Sequence, residues 1–249
     1  MHRFFFPLAF LLMVLLTSGC AASAKHRKEA ETHHMLGISY LRERNPTLAL
    51  RELQLAEQKD ADNADIQNTL AQAYQQKRAF PEAERHYLRA IRLDRDNPTY
   101  QNNLAALYLD MARWDDAIRH FRKAADNLLF TSPEVALTGI GYAYFQKGVY
   151  LDSIAACKEA LNFNPRYAQA QLHLGEAYYA LDKTGPAIEA FRQALTLNPD
   201  YTLAHYRLGQ AYMKLKKPEL AVASFREVLR LAPDSDLGRS VAEYIKILK

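Results

Sequence analysis

The 249-residue chain predicts an all-α solenoid: a right-handed superhelix of six helix–turn–helix repeats closed by a C-terminal capping helix. Two observations predict it. Tyr40, Tyr74, Tyr108, Tyr144, Tyr178 and Tyr212 stand 34, 34, 36, 34 and 34 residues apart. Four residues before each Tyr comes Leu36, Leu70, Leu104, Ile140, Leu174 or Leu208, and nine after it Ala49, Ala83, Ala117, Ser153, Ala187 or Ala221. A pattern returning at this period marks one supersecondary unit that cannot bury its apolar face alone and stacks on its own copies.

The N-terminus comes first in the chain and is of another kind. Met1–Arg3 is short and basic, and Phe4–Leu16 is an apolar run of thirteen residues. At ~1.5 Å per residue a helix of that length reaches ~20 Å, short of a ~30 Å hydrocarbon core. Residues 1–19 therefore read as a secretory signal. Thr17-Ser18-Gly19-Cys20 resembles a bacterial lipobox, in which the signal is cut before a lipid-modified cysteine; an ordinary signal with an incidental cysteine is the alternative. Cys20 is thus the expected lipidation site, and 20–29 the lipidated cysteine and a tether carrying Lys25, Arg27 and Lys28.

The repeats are expected at 30–63, 64–97, 98–131, 134–167, 168–201 and 202–235, with Ser132-Pro133 as a two-residue insertion. Residues 236–249 form the capping helix, with Val241, Ile245 and Leu248 at helical spacing to cover the open end of the last repeat. Small residues stand where the two helices of a repeat approach: Gly37, Ala71, Ala105, Gly141, Gly175 and Gly209 in helix A, answered by Ala56, Ala90, Ala124, Ala160 and Ala194 in helix B, with Val228 in the last repeat. Larger side chains there would overpack, at ~1–3 kcal/mol per site. Within the repeats, prolines fall only at helix edges. Pro46, Pro81, Pro98, Pro186 and Pro218 lie near starts and Pro165, Pro199 and Pro233 beyond ends, where a missing N–H is harmless.

Catalytic patterns are absent: there is no HExxH, GxSxG or P-loop. Gly139-Ile140-Gly141 falls inside a helix A rather than after a strand. Asp60, Asp62 and Asp65 lack the central Gly and distal Glu of a calcium loop. His26, His33 and His34 have no cysteine nearby to complete a zinc site. Cys157 occupies the place of Leu53, Tyr87, Phe121, Phe191 and Phe225 and reads as core. The chain is therefore not expected to be an enzyme, nor to hold a metal or any cofactor beyond acyl chains at Cys20. Without Arg3, the one full charge in residues 1–19, 31 Lys+Arg face 28 Asp+Glu, a net +3 too mild and dispersed for nucleic acid. With Cys20 lipidated, Cys157 is left alone and no intrachain disulfide is possible.

The repeat resembles the tetratricopeptide repeat (TPR), whose stacks bind proteins on the exposed face of the A helices. That resemblance places the expected partner-binding face on His34, Ile38 and Leu41 in repeat one, and on Asn68, Gln72 and Gln75 in repeat two. Repeat three gives Asn102 and Leu109, repeat four Tyr142 and Phe145, repeat five Leu172 and Tyr179, and repeat six Tyr206 and Met213. Amides can pair with an extended backbone and aromatics can anchor apolar side chains. The alternative is that some of these aromatics pack on one another. The face lacks the Lys/Asn arrangement that grips a chaperone's terminal carboxylate.

Along nearly its whole length the chain also resembles lipoproteins of type IV pilus assembly, the PilF/PilW-type pilotins. The lipobox, short tether, six repeats, Asn102-Asn103 early in the third repeat and the longer link between repeats three and four, in the stretch Ala124–Ala136, carry the resemblance. It implies an outer-membrane lipoprotein on the periplasmic face of a diderm envelope. Such a protein binds the pilus secretin and promotes its localisation and multimerisation, with no small-molecule substrate. A general TPR envelope adaptor, scaffolding peptidoglycan hydrolases or another assembly machine, is the alternative.

Overall fold

The fold is an all-α solenoid of paired helices, seen in a computed structural model that describes residues 25–247. The expected signal segment 1–19, Cys20 and Leu248 lie outside the described residues. Thirteen helices and no strand occur among the described residues. The A helices are α1 (25–42), α3 (Ala64–Gln76), α5 (Pro98–Asp110), α7 (Pro133–Gln146), α9 (Ala168–Ala180) and α11 (Thr202–Lys214). The B helices are α2 (Pro46–Lys59), α4 (Phe80–Leu93), α6 (Trp114–Ala125), α8 (Tyr150–Phe163), α10 (Thr184–Leu197) and α12 (Pro218–Leu231), and α13 (Asp236–Ile247) ends the chain. No described helix is long and apolar enough to cross a membrane.

Every repeat turns from helix A to helix B in the same way. One residue in each turn adopts the left-handed conformation: Arg44, Arg78, Ala112, Gly148, Asp182 and Lys216, at φ between 55° and 76°. The next residue's N–H reaches back to the carbonyl of the landmark tyrosine, as in Asn45 to Tyr40 at 2.8 Å and Lys217 to Tyr212 at 3.0 Å. This 6→1 bond satisfies a carbonyl that the helix end would leave bare. Only repeat four uses glycine for the left-handed residue. An L-residue there carries ~1–2 kcal/mol of strain, against which glycine's larger unfolded-state entropy offsets about half. Ala112→Gly should therefore raise stability by about 0.5–1 kcal/mol, read as a shifted urea midpoint; an unchanged or lower midpoint contradicts the strain argument.

The chain divides into two compact units, Met1–Leu107 and Tyr108–Lys249, with the division inside α5. In an array held by neighbour contacts no single core spans the chain. In the first unit Ala49, Leu53, Ala56, Ile66 and Leu70 form the core. Leu36, expected to pack like its counterparts, is 43% exposed, whereas Leu70 and Ile140 are fully buried. It stands in the first repeat, where no preceding helix B among the described residues covers it.

In the second unit Phe191, Phe225, Leu208, Val228 and Val241 share one cluster. The small residues of the A helices face the large residue sixteen positions on in helix B. A Cβ built at Gly175 would lie 2.5 Å from the Phe191 ring, at Gly209 2.3 Å from Phe225, and at Gly141 2.5 Å from the Cys157 sulfur. Cys157 is fully buried, and burial pushes its thiol up to about 12. α6 ends at Ala125, and the extra residues lengthen the link 126–132, where the Asn127 side chain accepts from Leu129 N–H at 2.8 Å. Pro133, read from the sequence as part of the insertion, is the first residue of α7.

The helix α13 lays Val241 and Ile245 into the second unit's core, and Tyr244 stacks on Phe225 at 5.6 Å. Deleting 236–249 should expose Phe225 and Val228 and drive association, visible as a concentration-dependent larger species in light scattering. A truncated chain that stays monodisperse would contradict a covering role.

Candidate protein-binding surface

In the first unit the A-helix face is built from polar side chains that bond to one another. His34 Nε2 lies 2.9 Å from Thr69 Oγ1, and that hydroxyl donates to the Asp65 carbonyl at 2.8 Å. Thr69 can then only accept, so His34 carries its proton on Nε2. Burial lowers the pKa of His34. Asn68 Oδ1 accepts from Asn103 Nδ2 at 3.0 Å, and Asn102 Nδ2 donates to Asn103 Oδ1 at 3.4 Å. Asn102 Oδ1 is buried and has no hydrogen-bond partner among the described residues. Gln75 Oε1 accepts the Tyr87 hydroxyl at 2.9 Å, while Ile38 and Gln72 are half-buried.

Two expectations for this unit need correction. Leu41 is 8% exposed and packs with Ala49 and Leu53, so it belongs to the core rather than the face. Asn68 is only 7% exposed, its amide already committed to Asn103 across neighbouring A helices. Asn68 thus lies in the crevice between neighbouring A helices.

In the second unit the face centres on an ion cluster that the sequence did not reveal. Glu176 on α9 is 6% exposed; its Oε2 accepts from His173 Nδ1 at 2.9 Å and its Oε1 from Arg207 Nε at 2.7 Å. Arg207 Nη1 also donates to Gln210 Oε1 at 3.0 Å, and Gln210 Nε2 to the Tyr206 hydroxyl at 3.0 Å. Burial alone would raise the pKa of the Glu176 carboxyl, but the His173 hydrogen bond and the Arg207 charge together hold it below its ordinary value. His173 also packs on Tyr142 with ring centroids 5.2 Å apart, and Tyr142 meets Trp114 edge-on at 6.3 Å. The available signal was an acid with a histidine three residues before it and an arginine 31 residues after it, one repeat less three.

The expected aromatic anchors are all present in this unit but are half-buried rather than free. Phe145 packs against Tyr150 at 5.6 Å. Tyr179, Tyr206 and Met213 pack at the edge of the main cluster, and the Lys214 ammonium sits 4.6 Å over the Tyr179 ring. Leu109 is half-buried. Leu172, expected on the face, is fully buried in the main core, because this position of helix A points between neighbouring A helices. Tyr142, Phe145 and Tyr179 each make intramolecular ring or core contacts, as in the alternative that aromatics of this face pack on other side chains.

Comparison with known proteins bears on the fold. A family described as tetratricopeptide repeat matches residues 34–98 and 172–236, more than half of the chain. Related repeat families match 99–126 and 141–182. No curated protein sequence matches. Among solved structures, PilW, described as a widely conserved type IV pilus biogenesis factor, superposes with a TM-score of 0.78 at 18% identity over 86% of this chain and 98% of that one. PilF of Pseudomonas aeruginosa gives 0.75 at 17% identity, covering 88% and 99%. MamA gives 0.56 at 26% identity, covering 70% and 98%. Proteins of this repeat class are in general non-enzymatic scaffolds for protein interactions. The repeat period, the paired helices and these matches together establish that the chain belongs to the tetratricopeptide repeat family.

Proposed function

We propose that the protein is an outer-membrane lipoprotein, anchored through Cys20 on the periplasmic face, that binds the type IV pilus secretin and promotes its localisation and multimerisation. The observation that carries the reading is a conjunction on one chain. Cys20 stands behind Gly19 at the end of a short apolar run, and six repeats follow with an extended link between the third and fourth. The likeness in fold to PilW along almost all of that chain supports it. Because α1 begins at residue 25, only 21–24 of the expected tether stand between Cys20 and the helix, and four residues span at most ~14 Å, so a partner would be met close to the bilayer.

The A-helix face of the second unit suits an extended or helical segment of such a partner. Tyr142, Phe145 and Tyr179 offer ring edges, and Gln210 and Lys214 offer polar groups beside them. The experiment is a deletion strain complemented with variants. Without the protein, secretin monomer should persist while assembled rings and surface pili are lost. Cys20→Ser should fail to restore them and should move the protein out of the outer-membrane fraction. Phe145→Leu, which keeps apolar packing, should weaken secretin capture by about 1–2 kcal/mol, below the ~2 kcal/mol or more expected of full truncation of an anchor. Normal rings in the deletion strain would leave the general adaptor as the better account.

A further inference from the structure

We propose that the groove between α2 and α4 in the first unit is a binding site for a phosphate-bearing anion. The proposal is independent of the secretin reading and rests on hydrogen-bond and charge accounting. The groove encloses about 650 Å³, and Arg85, Arg89 and Arg92 of α4 line it along one helix face. The only carboxylate in the lining is Glu57, and it is already committed. Its Oε1 accepts from Gln67 Nε2 at 2.9 Å and from Arg89 Nη1 at 3.3 Å.

A buried relay fixes the rest. Gln67, fully buried, turns its amide nitrogen to Glu57 and to the Ala61 carbonyl, so its Oε1 faces His86 Nδ1 at 2.7 Å. His86 must therefore carry its proton on Nδ1, leaving Nε2 to accept from Arg85 Nη2 at 3.3 Å. Burial lowers the His86 pKa, so the ring adds no charge of its own near neutrality. Tyr74 stacks on His86 at 5.3 Å, and its hydroxyl accepts from Gln54 Nε2 at 3.3 Å.

The result is a surplus of donors. Arg85 and Arg92 make no ion pair among the described residues, and the Tyr74 hydroxyl proton has no acceptor there. Glu57 Oε1, His86 Nε2 and the Tyr74 oxygen already accept, whereas guanidinium forks, an amide N–H and a hydroxyl remain to donate. Arg89 is paired with both Glu57 and, outside the lining, Asp62 at 3.3 Å, so three cations meet two carboxylates and the charge of Arg85 and Arg92 is left without a counter-ion among the described residues. An acceptor-only tetrahedral anion complements this better than a planar carboxylate, because its oxygens can meet forks spaced four and seven residues along a helix. A lipid headgroup and soluble phosphate share this chemistry.

The test uses the full chain carrying Cys20→Ser, alone and with Arg85→Gln and Arg92→Gln added; both arginines are exposed, and unchanged circular dichroism verifies the fold. The probes are inorganic phosphate, by calorimetry, and vesicles of phosphatidylcholine with or without a fifth of phosphatidylglycerol, by sedimentation. All proteins share the same N-terminus, so only the increment on adding the anionic lipid counts. That increment should fall about 30-fold in the arginine double variant, the effect of two basic side chains at about 1 kcal/mol each. An increment without a response to inorganic phosphate assigns the headgroup. Saturable phosphate uptake that the double variant loses assigns the soluble anion. Lys216→Gln with Lys217→Gln, which removes the same charge from an exposed turn of the second unit, should change nothing. Equal loss in the two charge variants, no binding of either probe, or binding of an acidic peptide alone overturns the proposal.

Discussion

Phe191→Ala should destabilise the second unit by about 3–5 kcal/mol, the ordinary cost of emptying a large buried aromatic site. Phe191 has no exposed surface and sits in the cluster that joins α9, α10, α11, α12 and α13. Its ring lies where a Cβ on Gly175 would be, 2.5 Å away. That contact gives the prediction a second arm. Gly175→Ala alone should cost about 1–3 kcal/mol by overpacking. In the Phe191→Ala background the same methyl enters vacated space and should stabilise. The sign of the Gly175 effect therefore reverses with its partner, a coupling that a double-mutant cycle reads directly. The single tryptophan, Trp114, lies in this unit, so its fluorescence reports the relevant unfolding step. Additive costs would show that the two helices slide apart instead of holding register.

Arg207→Met should cost about 3 kcal/mol at neutral pH, the low end for breaking a buried ion pair because Arg207 retains some exposure. The variant keeps the aliphatic stem but leaves the Glu176 carboxylate buried with His173 as its remaining partner. The pH dependence separates charge from packing. In the wild type the folded pKa of Glu176 lies below the unfolded value near 4.5, so its contribution is fully present above that value and is lost as pH falls through the folded pKa. In the variant burial is opposed by His173 alone, so the folded pKa moves up from its wild-type position and the stability that the ionised carboxylate contributes above it shrinks. The gap between the two proteins should be wide at pH 7 and narrow at pH 4. A gap independent of pH would mean that Arg207 acts through its stem alone.

The paired helices were legible in the sequence because each repeat presents the same tyrosine, aliphatic and small residue to the same neighbours. What a period cannot report is what lies beyond it or how deep a position sits. Leu36 has the same motif place as Leu70, yet the end of an array has one neighbour fewer. Asn68 and Leu172 share a phase with His34 and Tyr206, but adjacent A helices close over the first two. The Glu176 cluster escaped because its members come from two repeats and no motif links them. The Gln67–His86 relay was hidden for the same reason: it joins α3 to α4 and borrows Glu57 from α2.

The fit of each glycine against its own large residue has a consequence for how such chains can be recombined. Gly175 suits Phe191 and Gly209 suits Phe225, whereas the second repeat puts Ala71 beside a helix bearing Tyr87. A crossover between the two helices of a hairpin would mate a helix A with a foreign helix B and could set a methyl against a ring that requires bare backbone. A crossover between hairpins keeps every matched pair intact. The heritable module is the whole hairpin, and grafts or shuffled libraries of this array should tolerate joints between repeats while rejecting joints within them.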